Sequence, residues 1–184
     1  MTVEQFAQMH TAETERFELV EGELIRLSSG IPLHGEVRDL ILYFLLGYFR
    51  NEPIGEVIAE IDCRLGPNTI RCADVSVFLG ERAKRIDMRT IPIPFAPDIA
   101  VEVLSPSEAA IAVNRKIHNY LDAGCQEVWL FDADNCNVFV HAAAAASACC
   151  GANSFWNRHC FPVSPCGSPS YWVPSNRHKP PAYH

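Results

Sequence analysis

Two acidic residues lie in segments whose other residues are typical of buried strands. Glu102 is part of DIAVEVL and Asp74 is part of RCADVSVFL, and both have small or apolar neighbours. An ionised carboxylate in such surroundings is unfavourable unless a cation, a metal ion or hydrogen bonds offset the loss of water. If the two strands belong to one sheet, the two acids could lie close together. Paired carboxylates supply hard oxygen ligands suited to Mg²⁺ or Mn²⁺, with water and a substrate phosphate completing the coordination.

A lysine is predicted to lie near this pair. Val113, Ile117 and Tyr120 have the spacing of the apolar face of a helix that follows the Glu102 strand, and Lys116 flanks that face. Two acids and a lysine are a common set for metal-assisted hydrolysis of phosphodiesters. In that chemistry the metal ion lowers the pKa of a bound water and neutralises the phosphate, while the lysine orients the water or stabilises the developing charge.

Structural roles are the alternative for the same residues. Asp74 and Glu102 could be buried acids paired with Arg64 or Arg71, and Lys116 could be a solvated helix lysine. The residues alone leave both interpretations open.

Two other charged groups invite the same comparison. Pro97-Asp98 suits the entry into a strand, which favours a structural role for Asp98. The basic run of Arg82, Lys84, Arg85 and Arg89 could follow a phosphate backbone or form a solvated loop. The sequence does not decide between the two roles of this run.

Periodicity and turn residues indicate the elements that would position the site. FELVEGELIRL predicts a hairpin around Glu21-Gly22, and residues 34–50 carry apolar residues at the spacing of a core helix. Further strands are predicted for EVIAEIDCRL, IRCADVSVFL, the segment around Glu102, EVWLFD and NVFVH, whereas GERAKRIDMRTIPIPFAP predicts a charged loop. This order is typical of an α/β fold built on a mixed β-sheet flanked by helices.

The helix that carries Lys116 has signals at both ends. Ser105-Pro106-Ser107-Glu108 predicts a capping box with proline at the first helical position. Gly124 is placed for a C-terminal cap. The predicted helix therefore follows directly after the Glu102 strand.

Size and composition favour one globular domain. The chain has 184 residues, of which 48% are hydrophobic and 20% charged, with a formal net charge of −7. The N-terminus is polar and no apolar run is long enough to span a bilayer, so we expect a cytoplasmic protein without a membrane partner. Cys63, Cys72, Cys125 and Cys136 are scattered without CxxC spacing and predict free thiols. Nucleotide hydrolysis and acyl transfer are not supported, because no glycine-rich phosphate loop, Ser/His/Asp arrangement or cysteine nucleophile motif is found.

The C-terminal segment differs in character from the rest. After Ala142 it has three basic residues, no acid, no Leu and no Ile, and it has neither strand nor helix periodicity. We predict a domain over residues 1–141 and an atypical tail over residues 142–184 that is disordered or comes from a shifted reading frame. The alternative is a metal-binding tail, although the spacing of its candidate ligands fits no zinc signature well. These ligands are Cys149, Cys150, His159, Cys160 and Cys166.

The body of the chain resembles the PD-(D/E)xK nuclease superfamily, and within it a bacterial family labelled putative restriction endonuclease. The resemblance covers residues 16 to 141, and the stretch from EVLSPS to LFD is its most specific part. The matching segments are FELVEGEL, His34 at the head of a helix, ADVSVF, PDIAVEVLSPS, the spacing Lys116-x3-Tyr120-x3-Gly124, and EVWLFD.

This resemblance implies a restriction-endonuclease-like core and a metal-dependent endonuclease that hydrolyses DNA, with Mg²⁺ or Mn²⁺ as cofactor. It implies that Asp74 and Glu102 are metal ligands and that the backbone carbonyl of Val103 is a further ligand. Lys116 corresponds to the catalytic lysine.

Two positions depart from the superfamily pattern. Ala73 replaces the proline that usually precedes the first acid, and Leu104 replaces the lysine that usually follows the second. The family resembled moves that lysine to the following helix, which matches Lys116. His34 and Glu23 also lie in matching segments, and for them we expect helix capping or surface solvation.

Three functions are therefore compatible with the sequence. The first is a metal-dependent DNA endonuclease. The second is a catalytically inactive nucleic-acid-binding or interaction protein, favoured by the 22 acidic and 12 basic residues of the body, whose net charge of −10 opposes broad DNA binding. The third is a truncated or frameshifted relative without function. The oligomeric state is open, with a homodimer as one expectation, because nucleases that cut both strands are commonly dimers.

Overall fold

The computed structural model describes residues 1–9, 16–27, 30–106 and 108–143. In these ranges the helices are α1 (Val3–Met9), α2 (Pro32–Asn51), α3 (Gly80–Lys84) and α4 (Ala110–Asp122). The strands are β1 (Phe17–Val20), β2 (Glu23–Arg26), β3 (Gly55–Gly66), β4 (Thr69–Leu79), β5 (Ile99–Val103), β6 (Glu127–Asp132) and β7 (Asn137–Ala142). Most of the tail, including its cysteines, lies outside the described residues, and the division of the chain at residue 142 stays a prediction.

The seven described strands form one mixed sheet. Its order is β2-β1-β4-β5-β6-β7, and β3 pairs with β4 along nearly its whole length. Among the named strand pairs, β5 and β6 are parallel and the others are antiparallel. β4 is therefore the central strand, with β1 beside Ile70 and β5 beside residues 75–77. The predicted α/β class with a mixed sheet flanked by helices is confirmed.

The helix α4 covers the face of the sheet that carries Glu102. Its Ile117 and Tyr120 are buried in an apolar cluster with Ala100 and Val128. Because side chains alternate along a strand, Ala100 and Glu102 of β5 project from the same face. This packing brings helix side chains within reach of an acid on the sheet.

Most predicted elements are present. The hairpin forms β1 and β2, and the predicted core helix is α2, which buries apolar residues at helical spacing. The predicted charged loop is wrong in its first residues, because Gly80–Lys84 form α3. A helix of five residues without a buried side chain has no apolar periodicity by which to recognise it.

The predicted capping box before α4 is also wrong. The helix begins at Ala110, and the N-cap residue Ala109 makes no side-chain hydrogen bond. The carboxylate of Glu108 lies 3.2 Å from Nζ of Lys116. At the other end, Gly124 has φ of +89° directly after the C-cap residue, so the predicted glycine cap is confirmed.

Within the described residues, Cys63, Cys72, Cys125 and Cys136 are free thiols, as predicted. None of the described helices is both long and apolar enough to cross a membrane.

Candidate active site

Asp74 and Glu102 come together because β4 and β5 are antiparallel. Val75 faces Val101 in the last pair of their register, so Asp74 and Glu102 occupy the next facing positions. Facing residues of an antiparallel pair project from the same side of the sheet. Both carboxylates line one cleft, as the sequence led us to expect.

Both oxygens of Glu102 accept hydrogen bonds from α4. Nζ of Lys116 donates to Oε2 and the hydroxyl of Tyr120 donates to Oε1, each at 3.1 Å. Only 5% of Glu102 is exposed. Burial raises the pKa of Glu102 to about 8, an effect that Lys116 opposes and the Asp74 carboxylate strengthens. The carboxyl group is therefore costly to ionise at this position, although Lys116 already contacts it.

Lys116 lies between two carboxylates. It is one helical turn from Tyr120, so both side chains leave the same face of α4. Nζ contacts Glu102 at 3.1 Å and Glu108 at 3.2 Å. Burial lowers the pKa of Lys116, but Glu102, Glu18 and Glu108 outweigh that effect and hold it above its ordinary value. Lys116 is therefore a fixed positive charge at the site.

Asp74 is held through one oxygen. Its Oδ2 accepts the backbone N–H of Val103 at 2.7 Å and lies 3.3 Å from Nε2 of His34. His34 belongs to the first turn of α2, and its side chain is 19% exposed. The hydrogen bond to Asp74 raises the pKa of His34 above its ordinary value, although burial acts in the opposite direction.

The cleft around these groups has a volume of about 1090 Å³ and contains a larger share of the basic residues of the body than of its acids. Six of the 12 basic residues of the body line it, but only five of its 22 acids do. The basic residues are Arg16, Arg26, Arg38, Arg71, Arg115 and Lys116. The cleft therefore differs in charge from the acidic chain that forms it.

Asp74 and Glu102 fit part of the coordination sphere of Mg²⁺ or Mn²⁺. The described residues hold no group of three or more His, Cys, Asp or Glu side chains arranged to bind a metal ion. Mg²⁺ commonly takes one or two protein carboxylates and keeps several waters, whereas structural zinc takes four protein ligands. Two carboxylates in one cleft are donors of the kind that a hard, hydrated cation takes.

The arginine pairing considered as an alternative for the two site acids is wrong. NH1 of Arg71 lies 2.7 Å from Oε2 of Glu18, and NH1 of Arg64 lies 3.6 Å from Oε1 of Glu4. The solvated position considered for Lys116 is also wrong, because its side chain is 15% exposed.

Asp98 has the structural role that its position suggested. Its Oδ2 accepts the backbone N–H of Leu79 at 2.7 Å, and its Oδ1 accepts a hydrogen bond from Gln126 at 2.8 Å. Arg82, the first residue of the basic run, donates to the carbonyl of Gly124. No residue of that run lines the cleft described above.

The sequence did not assign a site role to His34 or Tyr120. Tyr120 was recognised as part of the apolar helix face, and the signal for its role is that a buried tyrosine hydroxyl usually finds a partner. For His34 we expected capping or solvation. Its contact with Asp74 joins the head of a helix to a strand 40 positions later, which no local pattern indicates.

Comparisons with known proteins agree with this fold. Residues 3–150 match the model of the family Uma2, described as putative restriction endonuclease. A crystal structure described as a putative nuclease belonging to DUF820, from Anabaena variabilis ATCC 29413, has a TM-score of 0.67 and 24% identity over 78% of this chain and 80% of that one. At this identity, the likeness shows a common fold. No curated protein matches the sequence. Since the family match spans most of the chain, the protein belongs to the Uma2 family of putative restriction endonucleases.

Proposed function

We propose that this protein is a metal-dependent endonuclease that hydrolyses phosphodiester bonds in DNA. The observation that carries the proposal is the contact of Lys116 with Glu102 beside Asp74 in one cleft. Family membership supports a nuclease. The cytoplasmic location and the homodimer stay predictions.

The distribution of charge supports a polyanionic substrate. A net charge of −10 on the body opposes contact with DNA over the whole surface. Six basic and five acidic residues line the cleft, so it lacks the excess of acid that the body as a whole carries. This local balance weakens the objection that the total charge raises and supports a substrate bound in the cleft.

The site residues have distinct roles in the proposed reaction. Asp74, Glu102 and the carbonyl of Val103 would hold Mg²⁺ or Mn²⁺, which supplies a water of lowered pKa and neutralises phosphate charge. Lys116 would orient the attacking water or stabilise negative charge as it develops on the phosphate. Tyr120 fixes the orientation of Glu102 through Oε1.

Cleavage of a supercoiled plasmid and of labelled duplex, branched and single-stranded oligonucleotides, with Mg²⁺, Mn²⁺ or EDTA, tests the proposal. We expect cleavage in the presence of metal only. Asp74→Asn, Glu102→Gln and Lys116→Met should each lower the rate by about 100-fold or more. Glu56→Gln and Lys84→Met change exposed residues outside the cleft and serve as controls.

Unchanged cleavage by the Asp74 and Glu102 variants would contradict the proposal and point to a contaminating nuclease. Salt-sensitive DNA binding without cleavage would favour an inactive binding protein. In such a protein, Lys116 and Tyr120 would keep both oxygens of Glu102 occupied, and no metal ion would bind there. A broad, non-cooperative melt would favour a truncated relative without function.

A further inference from the structure

His34 contacts the same oxygen of Asp74 that the backbone holds. Nε2 of His34 is 3.3 Å from Oδ2, and the N–H of Val103 donates to Oδ2 at 2.7 Å. A backbone donor and the nearby imidazole on one oxygen restrain the rotation of the carboxylate about its side chain. The other oxygen, Oδ1, is thereby turned away from these two contacts and left for a cation in the cleft.

The backbone of His34 is held by a packed helix, and its ring has room beside Gly30. A Cβ at Gly30 would lie 3.2 Å from Nδ1 and 3.4 Å from Cγ of the imidazole, so the glycine leaves the ring room that another residue would reduce. The backbone of His34 is fixed because α2 is 20 residues long and is buried through Val37 and Ile41. A side chain carried by a packed helix suits the orientation of a metal ligand.

We propose that His34 is a positioning residue of the metal site, which sets Asp74 for ligation by holding Oδ2. The inference rests on the proposed function, because it requires a cation at Asp74. In this role His34 touches neither the metal ion nor the DNA. Partners of this kind commonly change metal affinity by about 10- to 100-fold when they are removed.

Titration of Mn²⁺ without DNA, by calorimetry and by electron paramagnetic resonance of the free ion, tests the role of His34 apart from the reaction. We expect wild-type binding that Glu102→Gln abolishes. His34→Leu should weaken binding about 10- to 100-fold. His34→Gln, whose amide can donate near the position of Nε2, should recover most of it. Gly30→Ala should weaken binding slightly by displacing the ring, and His118→Leu, at an exposed position of α4, should have no effect.

If His34→Leu binds Mn²⁺ as tightly as wild type while Glu102→Gln does not bind it, the role of His34 is wrong. The proposed function would still stand. No binding by the wild-type protein would overturn both. If His34→Leu does not melt cooperatively, the other variants decide. Unchanged affinity in Gly30→Ala together with affinity in His34→Ala equal to that of wild type would then overturn the role.

Discussion

At the residue scale, the candidate site depends on how the fold accommodates Glu102. A carboxyl group on an apolar sheet face is unfavourable as an isolated anion. Here it meets a cation, Lys116, and a hydroxyl, Tyr120, both from α4. The strand and the helix therefore have to pack correctly before the acid is stabilised. Loss of one partner should affect stability as well as chemistry.

Tyr120→Phe should lower the free energy of unfolding by about 1–2 kcal/mol, because it removes a donor from a buried acceptor and adds no new contact. Urea denaturation measures this change. Tyr43→Phe is the matched control, because Tyr43 is 70% exposed, and it should stay within about 0.5 kcal/mol of wild type. Equal effects of the two substitutions would mean that the hydroxyl of Tyr120 contributes nothing through Glu102.

At the scale of elements, β3 contains a residue whose backbone is unusual for a strand. Glu60 has φ of +48°. It lies opposite Asp74, and these two positions are not paired although their neighbours in β3 and β4 are. A left-handed conformation is unfavourable for a residue with a side chain. The carboxylate of Glu60 lies 2.6 Å from Arg16 and 2.8 Å from Arg38. Ion pairs at such exposed positions contribute little, so strain should outweigh them.

Glu60→Gly should therefore leave stability unchanged or raise it by up to about 1 kcal/mol, because glycine adopts a positive φ without strain. Glu56→Gly on the same strand, at an exposed position of ordinary backbone, should lower stability by about 0.5–1 kcal/mol. Thermal and urea denaturation of both variants give the comparison. A larger loss in Glu60→Gly would show that its ion pairs outweigh the strain.

A buried ion pair joins β1, β4 and α4. NH1 of Arg71 lies 2.7 Å from Glu18, with side chains 6% and 2% exposed, and NH2 of Arg71 donates to Asn119 at 2.7 Å. Arg71→Met should lower the free energy of unfolding by about 3–5 kcal/mol, because Glu18 is left buried without its cation. Arg64→Met, which removes a longer and more exposed pair, should change stability by less than about 1 kcal/mol. If Arg71→Met and Arg64→Met lose similar amounts of stability, burial of the ion pair does not determine its contribution.

What the sequence predicts here depends on whether a contact follows from local spacing. Lys116 could be placed near Glu102 because helical spacing and the order of strand and helix determine which face meets the sheet. The start of α4 could not be predicted from the sequence. Glu108 could accept a hydrogen bond from the backbone, as in a capping box, or pair with Lys116, and the contact with Lys116 exists only in the folded chain. The role of His34 was missed for the same reason.

At the scale of the whole molecule, the basic residues are distributed unevenly, and many of them lie at the candidate site. The chain is acidic, yet the residues that line the cleft include half of the basic residues of the body, and they come from positions 16 to 116. The last described strand, β7, ends at Ala142. Neither the cleft nor the sheet, as far as the described residues define them, requires the segment that follows.

A chain ending at residue 143 should therefore fold and bind Mn²⁺ as the full chain does. We expect a cooperative melt within a few degrees of the full-length midpoint, on the order of a 1 kcal/mol change or less. A chain ending at residue 150, where the family match ends, is the matched control. If both shorter chains lose the cooperative melt or the Mn²⁺ affinity, the segment after residue 150 belongs to the folded domain, and the interpretation of the tail as sequence from a shifted reading frame is wrong. If only the chain ending at residue 143 fails, the domain extends to residue 150, past the boundary that composition predicts.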